Sequence, residues 1–435
     1  MARRPTGNWL LLAIVAVLVA VVAVVAANRP GPVVPDQATP TSGVDDVAGA
    51  AVASLNGYWS KEMPAVYGRD LVPLRGGFQP KTPRSPAFSC GGQRQTYDDL
   101  RGNAFYCGGS DDYIAWDAAS LFPQLADRYG GIAPAIVLAH EMGHAIQARA
   151  EVDSPSVVVE LQADCFAGSW TKYAETSTED PVTLTEGALD SAISTVLVLR
   201  DQPGQAASAP QAHGLGFDRV NAFQTGYESG ARACAELPTK GVVTTELPFR
   251  TVEEQQTGGD LPYAQAVAFV TTRLNQFWTA ALPRIAPGKT FTAPTLRPGP
   301  EPACPGQDSL AQYCDGAVGW PNETLITVHQ RIGDLGTGTV LSDAWGQAVQ
   351  QQAGFPATGQ TGGLQRDCFT GAWVAALAAG DLESSPLSPG DLDEVVATIV
   401  SSSLADDGQR MDRAGAFDRV KALRTGLFEG LPTCA

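Results

Sequence analysis

Residues 140 to 144 read HEMGH, and Glu160 follows in the segment VVVELQADCFAG. On a helix, residues four apart share a face, so His140 and His144 can each turn an imidazole nitrogen to one metal ion at about 2.0–2.1 Å. Glu141 then lies beside that metal and is free to act as a base. A catalytic zinc takes three protein ligands and keeps one position open for water, so a third ligand is required. Glu160 is the candidate, and Asp164, one turn further on, is on the same face.

Helical elements must carry these groups. GGIAPAIVLAHEMGHAIQARA has apolar Ile136, Val137 and Ile146, Pro134 in its first turn and Gly143 as its one internal breaker, which predicts a helix whose glycine is needed for close packing. A second helix is expected with Ser154 as N-cap and Pro155 at its first position. Its small residues Ala163, Ala167 and Gly168 would let it approach the first helix closely enough to deliver the Glu160 carboxylate. Asp164 either orients a ligating histidine or makes a purely structural hydrogen bond. Helical periodicity dominates elsewhere, and DDYIAWD at 111–117 is the best strand signal. It reads as a short edge strand, available to a substrate backbone in a peptidase.

HEMGHAIQ, ELQADCFAGSW, AFYCGG and the FDRVNAFQTGYESGARAC run after His213-Gly214 resemble the bacterial neutral zinc metallopeptidases that combine HExxH with an ExxAD segment. The resemblance covers roughly residues 45 to 236. It implies a mainly helical, zincin-like α+β domain with a small sheet, in which His140, His144 and Glu160 bind one zinc ion and Glu141 is the catalytic base. It also implies a peptide or protein substrate. The longer metzincin pattern is excluded, because it requires a histidine where Ala150 stands.

The chain also repeats itself with a period near 200 residues. LNGYWSKEMP at 55–64 returns as LNQFWTAALP at 274–283, HEMGHAIQ as DAWGQAVQ, ELQADCFAG as GLQRDCFTG, and FDRVNAFQTGYESG as FDRVKALRTGLFEG. This predicts two homologous domains that contact each other. At a shift of 203, His140 falls on Asp343, Glu141 on Ala344, His144 on Gln347 and Glu160 on Gly363, so the proposed chemistry is confined to the first copy. Gly143 and Gly346, Gln147 and Gln350, Asp164 and Asp367, and Arg219 and Arg419 match, which suggests architectural roles for them. His213 is replaced by Arg413 at a shift of 200, and it is a candidate for stabilising an oxyanion.

The cysteines follow the same repeat, four to each half. Closing each half on itself in the same way predicts Cys90 with Cys107, Cys165 with Cys234, Cys304 with Cys314, and Cys368 with Cys434. A structural zinc site is the alternative, disfavoured because no CxxC pair is present. Disulfides require an oxidising compartment, and the N-terminus points the same way. After Arg3 and Arg4, the uncharged stretch Trp9 to Ala27 would span about 29 Å as a helix, close to a bilayer's hydrocarbon core. The preceding arginines keep the N-terminus in the cytoplasm and the rest outside. The expected order is cytoplasmic residues 1–8, a transmembrane signal anchor at 9–27, a Pro/Thr-rich spacer at 28–44, the peptidase domain at 45–236, a linker at 237–259 and the degenerate copy at 260–435. A Pro-rich loop is expected at 283–302. The chain is then held at the cell membrane, or secreted if it is cleaved after Val25-Ala26-Ala27.

A net charge of −17 excludes a basic nucleic-acid footprint. The sequence therefore predicts a membrane-anchored extracytoplasmic zinc peptidase. The alternative from another class is a catalytically silent scaffold built on the same duplicated fold.

Overall fold

The computed structural model describes residues 41–206, 212–245, 247–299, 310–380, 382, 387–404 and 414–435. Among these residues no helix is long and apolar enough to cross a membrane. The expected anchor at 9–27, Cys304 and Arg413 lie outside the described residues.

The first half begins with α1 (Thr41–Tyr67) and continues through β1 (Gly77–Lys81), the hairpin β2 (Phe88–Cys90) and β3 (Gln93–Gln95), and a short α2 (Tyr97–Leu100). It is completed by β4 (Ala104–Cys107), β5 (Tyr113–Asp117), α3 (Leu121–Tyr129), α4 (Ala133–Ala150), α5 (Ser156–Thr176), α6 (Ala188–Val198) and α7 (Gly216–Ala235). Two short helices, α8 (Leu237–Lys240) and α9 (Val252–Thr257), occupy what reads as a linker. The second half has α10 (Tyr263–Ile285), β6 (Thr295–Gly299), β7 (Gln312–Cys314), β8 (Ala317–Pro321), α11 (Asn322–Arg331), α12 (Asp334–Ala353), α13 (Gly359–Ala378), α14 (Asp391–Leu404) and α15 (Ala416–Glu429). A 3-10 turn, Leu431–Cys434, ends the chain.

Each half carries a three-stranded sheet with a parallel and an antiparallel pair. In the first, β5 runs parallel to β1, with Gly77 opposite Tyr113 and Lys81 opposite Asp117, and antiparallel to β4, with Ala104 opposite Trp116. In the second, β8 lies between β6 and β7 with the same pairing senses. The segment 111–117 is therefore no edge. Its strand is central and buried along its whole length, which explains why YIAW lacks the polar alternation of a half-exposed strand. The proline-rich loop expected at 283–302 also yields to β6, because Pro298 has no N–H to give and stands on an outer strand of its sheet.

α4 is buried on nearly every side from Ala133 to Gln147, so its apolar residues wrap the helix rather than forming a stripe. Its neighbour α5 starts at Ser156. Pro155 is extended (φ −54°, ψ 150°) and serves as the N-cap itself, one residue later than the Ser154 cap expected. Gly143 of α4 meets α5, since a Cβ there would come within 2.9 Å of the Ala163 Cα. Gly168 does not face α4. It packs against the Phe223 carbonyl of α7, while Gly226 of α7 packs against the Cys165 carbonyl of α5, so the two backbones touch through paired glycines. Gly371 and Gly426 make the same crossing between α13 and α15.

Cys90–Cys107 joins β2 to β4, Cys165–Cys234 closes the α5–α7 crossing, and Cys368–Cys434 closes its counterpart. Cys314 is disulfide-bonded, and the expected partner lies outside the described residues.

The halves exchange helix caps. Asp393 of α14 accepts hydrogen bonds from the Gly216 and Phe217 amides at the start of α7, at 3.0 and 2.8 Å. Asp190 of α6, its counterpart in the repeat, accepts from the Phe417 amide at the start of α15, at 3.0 Å. Gln224 donates to the Phe417 carbonyl, and Arg424 donates to Asn221 and Gln224. Orphan amides of each helix are thus satisfied by a carboxylate from the other half, where the helix dipole favours negative charge.

Candidate metal centre

α4 and α5 bring His140, His144 and Glu160 to one point. The His140 Nε2 lies 3.2 Å from one Glu160 oxygen and 3.1 Å from the His144 Nε2, and the His144 Nε2 lies 3.6 Å from the other Glu160 oxygen. One donor atom from each residue falls within 4.8 Å of the others.

The opposite ring nitrogens are already engaged. The His140 Nδ1 meets the Asp164 Oδ1 at 2.8 Å, and Asp164 also accepts two hydrogen bonds from Arg219 of α7, at 2.7 and 2.9 Å. The His144 Nδ1 meets the Gln147 Oε1 at 2.9 Å, and Gln147 donates to the Val159 carbonyl at 2.6 Å. With each Nδ1 facing an oxygen that can hold its proton, the Nε2 atoms are the ones left for a metal, which would take the place of any proton there. Of the two roles expected of Asp164, the geometry includes both: it holds the histidine and it is bonded to Arg219.

Electrostatics agree with a site built for positive charge. Burial raises the Glu160 pKa, but the neighbouring imidazoles outweigh it and the carboxyl falls well below its usual range. Burial opposes charge on His140, yet Asp164 and Glu160 push its pKa up to about 10. With Asp164 already paired to Arg219, it is the buried Glu160 carboxylate that calls for a cation beside the histidines, and a divalent ion answers that demand.

Glu141 points elsewhere. Its Oε2 accepts the Tyr106 amide of β4 at 2.8 Å, and burial raises its pKa while the two imidazoles partly offset that. His213 sits in the loop before α7, held by Asp201, which accepts from the His213 amide at 2.6 Å, from the Gly214 amide at 2.9 Å, and meets the His213 Nδ1 at 3.1 Å. The Asp201 hydrogen bond is the main cause of a raised His213 pKa, burial opposes it, and the Glu160 charge adds to it. The Tyr106 amide, Asp201 and the imidazole contact of Gln147 were not legible in the sequence. Tyr106 contributes only backbone, and the matched Gln350 in the second half masks the histidine-holding part of Gln147. Gln350 keeps the backbone bond, donating to the Gly362 carbonyl at 2.8 Å, but its oxygen accepts from Arg366 at 3.1 Å where Gln147 meets an imidazole.

The second half shows what replaces the site. Asp343, in the place of His140, pairs with the Arg366 Nε at 2.7 Å and accepts from Gln347 at 2.9 Å. Arg366 stands where the first half has Ala163, so a guanidinium supplies internally the positive charge for which the first half is arranged. Gln347 accepts the Tyr313 amide at 3.0 Å, the bond that Glu141 makes to Tyr106. Asp367 keeps its two bonds to Arg419, at 2.8 and 2.9 Å, with no histidine to hold. The aspartate–arginine pair therefore also serves the architecture.

The donor set of two imidazoles and one carboxylate, with both Nδ1 atoms anchored, fits a zinc ion with an open position. Among curated proteins, the chain is 30% identical over 151 residues to "Uncharacterized protein YpfJ" of Escherichia coli (strain K12), covering 29% of this chain and 50% of the relative. It is 28% identical over 153 residues to "Uncharacterized protein Rv2575" of Mycobacterium tuberculosis (strain ATCC 25618 / H37Rv), covering 29% and 52%. The chain spans about half the length of these relatives. No solved structure is a significant match. Residues 87–237, the segment that holds His140, Glu141, His144, Glu160, Asp164 and His213, match the model of a family described as "Putative neutral zinc metallopeptidase".

Proposed function

We propose that the chain is a zinc-dependent peptidase, with His140, His144 and Glu160 holding one metal ion in the first half. The observation that carries this reading is the convergence of a carboxylate with two Nε2 atoms whose rings are already bonded elsewhere through Nδ1. When bound there, zinc lowers the pKa of a water toward about 7 and polarises a carbonyl. Glu141 takes the proton from the attacking water and passes it to the departing amine, which completes hydrolysis without a covalent intermediate. The Tyr106 amide holds one Glu141 oxygen and leaves the other for this work. His213, steadied by Asp201, donates to the oxyanion as it forms. An extended substrate adds to β4, the outer strand beside Glu141, rather than to β5.

Purified full chain should contain one zinc, and Glu160→Ala should lose it or bind it at least tenfold more weakly by elemental analysis and competition with a chelator. Folded wild-type protein that takes up no zinc would transfer the chain to the rival reading, a silent scaffold on the same fold.

We further propose that the two halves arose by duplication, that the second is a peptidase copy without the chemistry, and that residues 9–27 anchor the protein with its bulk outside the cytoplasm. The expected result is that the chain resists alkaline extraction from membranes and is digested by protease added to the outside of spheroplasts. Release by alkali would contradict the anchor.

A further inference from the structure

A second group of potential ligands lies far from the histidines in sequence, in the second half. Asp260 directly follows the linker, Asp334 opens α12, and Glu394 lies in the first turn of α14. One oxygen from each falls within 4.8 Å of the others. Asp334 is only 4% exposed, and although its Oδ2 accepts the Leu261 amide at 2.9 Å, its Oδ1 is buried with no hydrogen-bond partner. An orphaned, buried carboxylate oxygen among other carboxylates calls for a cation. Glu394 accepts the Leu335 amide at 2.8 Å, and its carboxylate lies against Gly333 (φ 135°), where any Cβ would collide with it.

Two basic groups near the cluster among the described residues are otherwise disposed. The Arg250 guanidinium, whose charge reaches Asp391, is bound to Glu254 at 2.6 and 3.2 Å. Burial holds the His329 pKa below its usual value. Asp391 adds a fourth carboxylate, but its own oxygens are occupied by the Ser388 amide and hydroxyl, at 2.7 and 2.6 Å. Burial and mutual repulsion push Asp334 to about 6 and Asp391 and Glu394 well above the usual carboxyl range.

The other half supplies a control. At the shift of 203, Gly333 corresponds to Gly130, Asp334 to Gly131, Asp391 to Ala188 and Glu394 to Ser191. Gly130 is packed against Ser191 in the same way that Gly333 is packed against Glu394. The half that lost the zinc ligands therefore carries carboxylates where the other carries neutral residues, on the same backbone.

We propose that Asp260, Asp334 and Glu394 bind a calcium ion that ties the segment following the linker to the starts of α12 and α14. Donors that are all oxygen select a hard cation over zinc, and irregular ligands from three separate segments suit calcium better than the strict octahedron of magnesium. Asp393, next to Glu394, caps α7 of the first half, so the ion also firms the joint between the halves.

The test uses the full chain, stripped of metals and titrated with CaCl2 with no zinc present, so it stands apart from the peptidase reading. Equilibrium dialysis should find one calcium per chain, and saturation should raise the Tm by roughly 5 °C, with a smaller effect of MgCl2. Asp334→Asn and Glu394→Gln keep hydrogen-bond acceptors for the Leu261 and Leu335 amides, and should abolish both the binding and the calcium-dependent shift. Absence of bound calcium at millimolar concentration in the wild type overturns the proposal, as does a shift that survives in both variants. The wild-type titration decides the matter alone if neither variant folds.

Discussion

Glu141→Gln should leave the zinc content at one per chain and lower kcat/KM for peptide hydrolysis by on the order of 10²–10⁴-fold. The amide keeps an oxygen to accept the Tyr106 amide, so the side chain stays where the carboxylate was, 2.8 Å from that nitrogen. What it loses is the ability to take a proton. The metal is unaffected because Glu141 directs its oxygen to β4 and is not one of the three converging donors. In the same assay His213→Ala should reduce kcat by roughly 10²–10³-fold with little change in zinc content, as expected for an oxyanion donor. A fully active Glu141→Gln protein would remove the general base from the mechanism, and with it the best reason to read the site as a peptidase.

Gly168→Ala should destabilise the fold by about 3 kcal/mol or more, near the top of the range for overpacking a tight site. The new Cβ would overlap the Phe223 carbonyl oxygen and sit 2.8 Å from its carbon and 3.1 Å from the Tyr227 nitrogen. Backbone atoms cannot rotate aside as a side chain can. Separating α5 from α7 would strain the Cys165–Cys234 bridge and pull Arg219 away from Asp164, so a loss of zinc affinity should accompany the fall in stability. Thermal unfolding under oxidising conditions should show Tm lower by roughly 10 °C, given about 2–4 °C per kcal/mol for domains of this size. A variant within about 0.5 kcal/mol of the wild type would mean that the helices can separate freely, against the packing described here.

The zinc candidates were legible because their geometry is local. Four residues along a helix bring His140 beneath His144 whatever surrounds them, and the same spacing rule puts Glu160 and Asp164 on one face of α5. The repeat sharpened this by marking which residues the second half does without. Its limit is Asp164, where survival in both halves suggests architecture alone, yet the histidine contact exists only in the first.

The sequence by itself picked out His140, His144 and Glu160, which the fold brings to one point, together with the helical character and the pairing of Cys90, Cys165 and Cys368 with their partners. These follow from periodicity along one element or from a pattern that occurs twice. Only the tertiary structure decided that Gln147 holds His144, that a β4 amide holds Glu141, that Gly168 serves α7 instead of α4, that β5 is central, and that Asp190 and Asp393 cap helices across the repeat. It alone brought Asp260, Asp334 and Glu394 together. The physical reason is the same throughout: a buried polar group or a glycine contact is completed by a segment distant in the chain, and the spacing of nearby residues carries no record of which segment arrives.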